Sequence, residues 1–111
     1  MTSEQRRTWT FLTNHARALI LITEAPGIRL RDIADRIGIT ERAAQRIVAE
    51  LESAGYLSHE KEGRRNRYHL EPNAHLRHPL ENDIEIGQLL ALFVGRTSPD
   101  KPSSAPNPLD R

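Results

Sequence analysis

The stretch from Ile33 to Leu57, IADRIGITERAAQRIVAELESAGYL, constrains this chain more than any other. It predicts two helices joined by a tight turn. Thr40 is a good N-cap for the second helix, because its hydroxyl can accept from an open backbone N–H in the first turn. Glu41 follows at the positive end of the helix dipole. A full capping box wants Glu or Gln at position 43, where Ala43 stands, so half of that motif is present. Ala44, Ile47, Val48 and Leu51 recur at i, i+3, i+4 and i+7 and make one apolar face. Gly55 stands where a left-handed C-cap is required. At about 100° of rotation per residue, Arg42, Arg46 and Ser53 lie opposite that face, with Ala43 and Gln45 on its flanks. Arg can hold guanine through two hydrogen bonds, and Gln can do the same for adenine.

The preceding residues supply the other half of the unit. Leu30, Ile33, Ala34 and Ile37 form a short apolar stripe, Gly38 breaks the helix, and Ile39 turns back inward. A short helix, a Gly-containing turn and a capped second helix is the helix-turn-helix plan.

Charge alone does not reveal the partner. The 111 residues carry 16 Lys/Arg and 15 Asp/Glu, a formal net charge of +1. Residues 28–70 hold nine Lys/Arg against seven Asp/Glu, a net of +2. Nucleic-acid binding must therefore rest on where the cations sit. The cysteine count of zero excludes disulfides and thiolate metal sites. No run approaches the roughly 18 apolar residues of a membrane span. The polar start, MTSEQRR, lacks the apolar stretch of a signal peptide. A cytoplasmic protein of one domain is expected.

Before the unit, residues 1–13 form a lead-in that is polar as far as Arg7 and then contains Trp9 and Phe11, suited to a core or a subunit contact. Thr13 or Asn14 caps a helix from Asn14 to Glu24 that is apolar on nearly every side and therefore central. Pro26-Gly27 ends it. Ile28-Arg29-Leu30 has the composition of a short strand, and Arg29 and Arg31 are candidate phosphate contacts.

After Gly55 the period becomes strand-like. Residues 56–62 and 67–70 flank Gly63-Arg-Arg-Asn66, so a hairpin is expected with Arg64 and Arg65 at its tip and Arg67 just behind. Tyr68 and Leu70 alternate with Arg67 and His69, which turns the apolar pair inward. A basic hairpin directly after the second helix is a wing, and the negative potential of a minor groove favours Arg. The spacing of His75 and His78 is followed by Pro79 and lacks further ligands, so no metal is expected. Asn82 caps a last predicted helix, Asp83 to Val94, in which Ile86, Leu89, Leu90 and Phe93 recur at helical spacing. Its broad apolar surface suggests pairing with a second copy. From Gly95 the chain carries four of its seven prolines and is expected to be disordered.

RLRDIADRIGITERAAQRIVAELESAGYLSHEKEGRRNRYHL, residues 29–70, resembles the winged helix-turn-helix regulators of bacteria, of the MarR-like and ArsR-like kind. The pattern Leu-Glu-x-x-Gly-aromatic-Leu that closes the recognition helix in such proteins stands here as Leu51 to Leu57. The chain departs from metal-sensing ArsR-like members in having no cysteine. It departs from the longer MarR-like members in having one C-terminal helix. The resemblance implies a mainly α fold with a small β-hairpin (α+β), a winged helix-turn-helix over 14–70, and a connector and dimerisation helix over 71–94. It implies that Thr40, Arg42, Ala43, Gln45 and Arg46 read the major groove of double-stranded DNA. Arg64, Arg65 and Arg67 would hold the wing to backbone or minor groove. A homodimer is expected through Trp9, Phe11, Ile86, Leu89, Leu90 and Phe93. The function expected is a transcriptional repressor, without cofactor and without enzymatic activity. The alternative is a winged-helix protein-interaction module or a subunit of a larger nucleic-acid assembly, which the near-neutral charge and Glu50, Glu52, Glu60 and Glu62 favour.

Overall fold

A computed structural model describes residues 9–95. Three helices, α1 (Asn14–Glu24), α2 (Leu30–Ile37) and α3 (Glu41–Ser53), are followed by an antiparallel hairpin of β1 (Leu57–Glu62) and β2 (Arg65–Leu70), and then by a short α4 (Ile86–Leu90). This is a winged helix of the α+β class. The parts of the expected lead-in and tail at 1–8 and 96–111 lie outside the described residues.

The helix ends follow from local chemistry. Thr13 Oγ1 accepts from Ala16 N at 3.2 Å, and Thr40 Oγ1 accepts from Ala43 N at 3.0 Å, so α1 and α3 both start on a threonine cap. Gly38 ends α2 at φ 89°, and the three-residue turn Gly38-Ile39-Thr40 returns the chain at once into α3. At the far end of α3, Tyr56 N donates to Leu51 O at 3.0 Å and Gly55 N to Glu52 O at 3.1 Å. Those two bonds make a Schellman motif, which needs the left-handed φ of 89° at Gly55. Leu51 and Tyr56, on either side of it, are both buried in the core.

One core holds these elements. Ala18, Leu19, Leu21 and Ile22 of α1, Ile33 and Ala34 of α2, and Ala44, Ile47, Val48 and Leu51 of α3 are buried together with Tyr56, Leu57 and Tyr68. The apolar stripe of α3 is therefore packed inward, which fixes its opposite face toward solvent. The register pairs Leu57 with Leu70, Glu60 with Arg67 and Glu62 with Arg65, so the turn is two residues, Gly63-Arg64, and Asn66 lies in the strand. Ile28-Arg29-Leu30 forms no strand: Ile28 N closes a turn onto Ala25 O at 2.9 Å, and Leu30 already begins α2. A single main-chain bond from Tyr68 N to Pro26 O, 2.9 Å, joins β2 to that loop.

The C-terminal segment departs from the expected long helix. Glu85 is extended and bridges His75, so Asn82 is not a cap and the helix starts at Ile86. The Gln88 side-chain oxygen accepts from Glu85 N at 2.9 Å. After Leu90 the chain continues as turns, with Leu92 N bonded to Leu89 O and Phe93 N to Leu90 O. Ile86 and Leu90 are 4% and 2% exposed within this chain's own core. Their helical spacing serves that core, which corrects their expected place in a subunit interface. Tyr56 Oη donates to His75 O at 2.6 Å, and Ile86 N to Ala74 O at 2.7 Å, which pins the connector to the domain. None of the helices among the described residues is long and apolar enough to cross a membrane.

Candidate nucleic-acid interface

α3 presents its N-terminal half to solvent. Arg42, Gln45 and Arg46 are exposed, and so is Ala49 one turn further on, so 42, 45, 46 and 49 form a stripe at helical spacing. Among the described residues, none of these three polar side chains makes a hydrogen bond or ion pair. They are free to meet a partner. Ala43 is half-buried; its N–H is committed to the Thr40 cap, and its methyl is at the edge of the stripe. Thr40 itself is exposed, with its oxygen engaged as the cap. The hydroxyl proton of Thr40 remains available as a donor.

The acids of α3 face elsewhere. Glu50 Oε1 lies 2.7 Å from His15 Nε2 of α1, and Glu52 meets His59 of β1. Both lie in the C-terminal half of the helix, so the N-terminal half keeps its positive character. Glu41, in the first turn, is the exception.

The hairpin carries less free charge than its three arginines suggest. Arg65 donates from Nη2 to Gly27 O at 2.6 Å and so ties the wing to the loop before α2. Arg67 Nη1 stands 4.0 Å from Glu62 Oε1, and His69 Nε2 stands 3.3 Å from Glu60 Oε2. Side chains alternate across a strand, so Arg65, Arg67 and His69 share one face with Glu60 and Glu62 and largely neutralise it. Arg64, at the turn, is exposed and has no partner among the described residues. Lys61 and Asn66 pair on the other face, next to the half-open groove before α2. The periodicity of the strands was visible in the sequence. The bond of Arg65 across 38 residues had no local signal.

Of the expected subunit contacts, Trp9 and Phe11 are 66% and 90% exposed. They stack edge-on, with centroids 4.9 Å apart. Leu89 is partly buried against the core, and Phe93 is half-buried. Leu92 and Val94 are exposed. No group of three or more potential metal ligands occurs among the described residues.

The MarR family pattern matches residues 10–67, 58 of the 111 residues. No curated protein matches the chain in sequence. A solved structure, that of CymR (YrzC), the global cysteine regulator of B. subtilis, aligns with 94% of this chain and 79% of its own at 20% identity and a TM-score of 0.41.

Proposed function

The chain belongs to the MarR family, and we propose that it regulates transcription by binding double-stranded DNA in a sequence-specific way, as a repressor. The observation that carries this is the stripe of Arg42, Gln45 and Arg46: exposed, unpartnered, and held on a helix capped at both ends. α3 would lie in the major groove, with Arg42 and Arg46 suited to guanine and Gln45 to adenine. Arg64 would bring the wing to the backbone or minor groove. Arg65 and Arg67 would support the wing and not touch DNA directly.

Two copies would place two recognition helices on half-sites about one helical turn, roughly 34 Å, apart. The exposed pair Trp9 and Phe11, with Leu89 and Phe93 beside the solvent-facing Leu92 and Val94, is the surface proposed for that contact.

The test is selection of genomic fragments by the purified protein at two salt concentrations. A few enriched sites with an inverted repeat are expected, and Arg46→Ala should cost about 1–3 kcal/mol on those sites while sparing random DNA. Equal losses on both would remove the reading role of Arg46. The self-neutralised wing face favours a second reading, a winged helix that docks on protein. Absence of any DNA binding at low salt would select it.

A further inference from the structure

Four of the five histidines face a glutamate: His15 with Glu50, His59 with Glu52, His69 with Glu60 and His78 with Glu81. The last two pairs stay inside the hairpin and the connector. The first two cross between elements, and both end on α3. His15 Nε2, on the first turn of α1, lies 2.7 Å from Glu50 Oε1, and His59 Nδ1 of β1 meets Glu52 Oε2. Two residues along a helix are about 200° apart, so Glu50 and Glu52 leave α3 on opposite flanks of the buried Leu51. α3 is thus held from α1 on one side and from the wing on the other. No Lys or Arg makes an ion pair with α3 among the described residues. His15 shares its cavity with Glu50, Tyr56 and Arg77; the Tyr56 hydroxyl is spent on His75 O, and Arg77 has no ion pair among the described residues. His59 meets Glu52 from α3, Tyr68 from β2 with ring centroids 6.0 Å apart, and Lys61 two residues along its own face. Of these side-chain types, histidine is the one whose charge changes between about pH 5 and 8. Protonated, each imidazole makes an ion pair with its glutamate. Neutral, it keeps at most a hydrogen bond, and one of its two tautomers turns a bare nitrogen toward the carboxylate.

We propose, resting on the DNA-binding function above, that His15 and His59 are positioning residues that grip α3 from both sides and make DNA binding tighten as pH falls through the histidine range. Arg42 and Arg46 on α3 and Arg64 on the wing must meet one duplex together, so the angle between helix and hairpin matters. A charged Glu52–His59 pair stiffens that angle. A neutral pair leaves it freer, and ordering it on DNA then costs affinity. The side chains of His59 and Glu52 are 38% and 27% exposed, less than those of any other ion pair among the described residues. Salt and solvent screen that pair least, so His59 carries the larger share.

The test is the affinity of the full chain for one selected duplex at about pH 6 and pH 8, at a fixed salt of about 0.15 M. Wild type is compared with His15→Gln/His59→Gln and with His69→Gln/His78→Gln. Any histidine that gains a proton makes the chain more positive and aids DNA binding, so the second variant controls for bulk charge: it loses as many histidines and leaves both grips on α3 intact. An exposed ion pair contributes up to about fivefold. Wild type should therefore bind about three- to tenfold tighter at the lower pH. The control should keep most of that ratio, and His15→Gln/His59→Gln should lose most of it, with His59→Gln alone taking the larger part. A merely structural role would lower the Tm of the variant and leave its pH ratio at the wild-type value, which overturns the proposal. Equal losses in the two double variants overturn it as well, in favour of bulk charge. If no duplex binds at either pH, the DNA reading fails, and amide-exchange protection in the last turn of α3 and in β1 decides the grip: protection that rises at the lower pH in wild type and control but not in His15→Gln/His59→Gln supports it, and an equal rise in all three overturns it. Glu50→Gln/Glu52→Gln, which removes the same charges from the other side, replaces the histidine variant if the latter is unstable.

Discussion

Arg64 and Arg65 are neighbours in sequence and should behave as different kinds of residue. Arg64 sits on the two-residue turn with no partner among the described residues. Arg65 donates to Gly27 O at 2.6 Å. If Arg64 meets one phosphate, its replacement by Ala lowers the slope of log K against log salt by about 0.9 per protomer. At 0.1 M salt that is about eightfold in affinity for one copy and about sixtyfold for a dimer on two half-sites. Stability should hardly change, since nothing in the fold leans on the side chain. Arg65→Ala removes a hydrogen bond from an exposed guanidinium, which solvent weakens, so about 0.5–1 kcal/mol of stability should go. For a domain of this size that lowers Tm by a few degrees. Its salt slope should match the wild type. The assay is fluorescence anisotropy on one selected duplex from 50 to 300 mM salt, paired with thermal melts. If Arg65→Ala flattens the slope as much as Arg64→Ala does, Arg65 leaves Gly27 to meet DNA, and its assignment as a structural tie is wrong.

Three further outcomes follow from the packing. Leu90, 2% exposed, should cost about 2–5 kcal/mol as Leu90→Ala, with a loss independent of protein concentration in urea melts; a loss that vanishes at dilution would place it in a subunit contact instead. A methyl added at Gly87 would stand 3.0 Å from both Cβ and the carbonyl oxygen of Pro72, so Gly87→Ala should destabilise by about 1–3 kcal/mol through overpacking, although Ala is the better helix former; a rise in Tm would show that the connector yields. Thr40→Ala removes the cap bond to Ala43 N and should cost about 1 kcal/mol, together with faster amide exchange in the first turn of α3; unchanged exchange there would mean that water replaces the hydroxyl.

The helices were legible because their signals are local. Thr13 and Thr40 act on amides three residues away, Gly38 and Gly55 on the turns they occupy, and the stripe Ala44, Ile47, Val48, Leu51 declares its own inward face. The apolar pattern around α4 has two physical explanations. Ile86, Leu89, Leu90 and Phe93 repeat at helical spacing whether the stripe meets a second copy or the same domain. The deciding contacts, Tyr56 Oη to His75 O and Glu85 to His75, link residues that no period relates. The bridge at Glu85 also spends the residues before Ile86 on extended structure, which is why the helix is five residues and not twelve.

The same distinction governs the candidate interface. Sequence pattern tells which side chains leave the core, and Arg42, Gln45, Arg46, Arg64, Arg65 and Arg67 all do. It does not tell which of them are still unengaged once the chain has folded. Counting arginines in the hairpin gives three cations for DNA, whereas Glu62 neutralises one and Gly27 holds another. Counting residues near α2 gives two scattered arginines, whereas the fold brings Arg29 and Arg31 into one groove with Lys61 and Arg64. The unpaired positive charge of a nearly neutral chain thus gathers between the turn end of the hairpin and the start of α2. Electrostatic attraction scales with uncompensated charge in a low-dielectric concavity, so Arg64 and its unpaired neighbours across this groove, more than Arg65 and Arg67, should set how steeply DNA binding falls with salt.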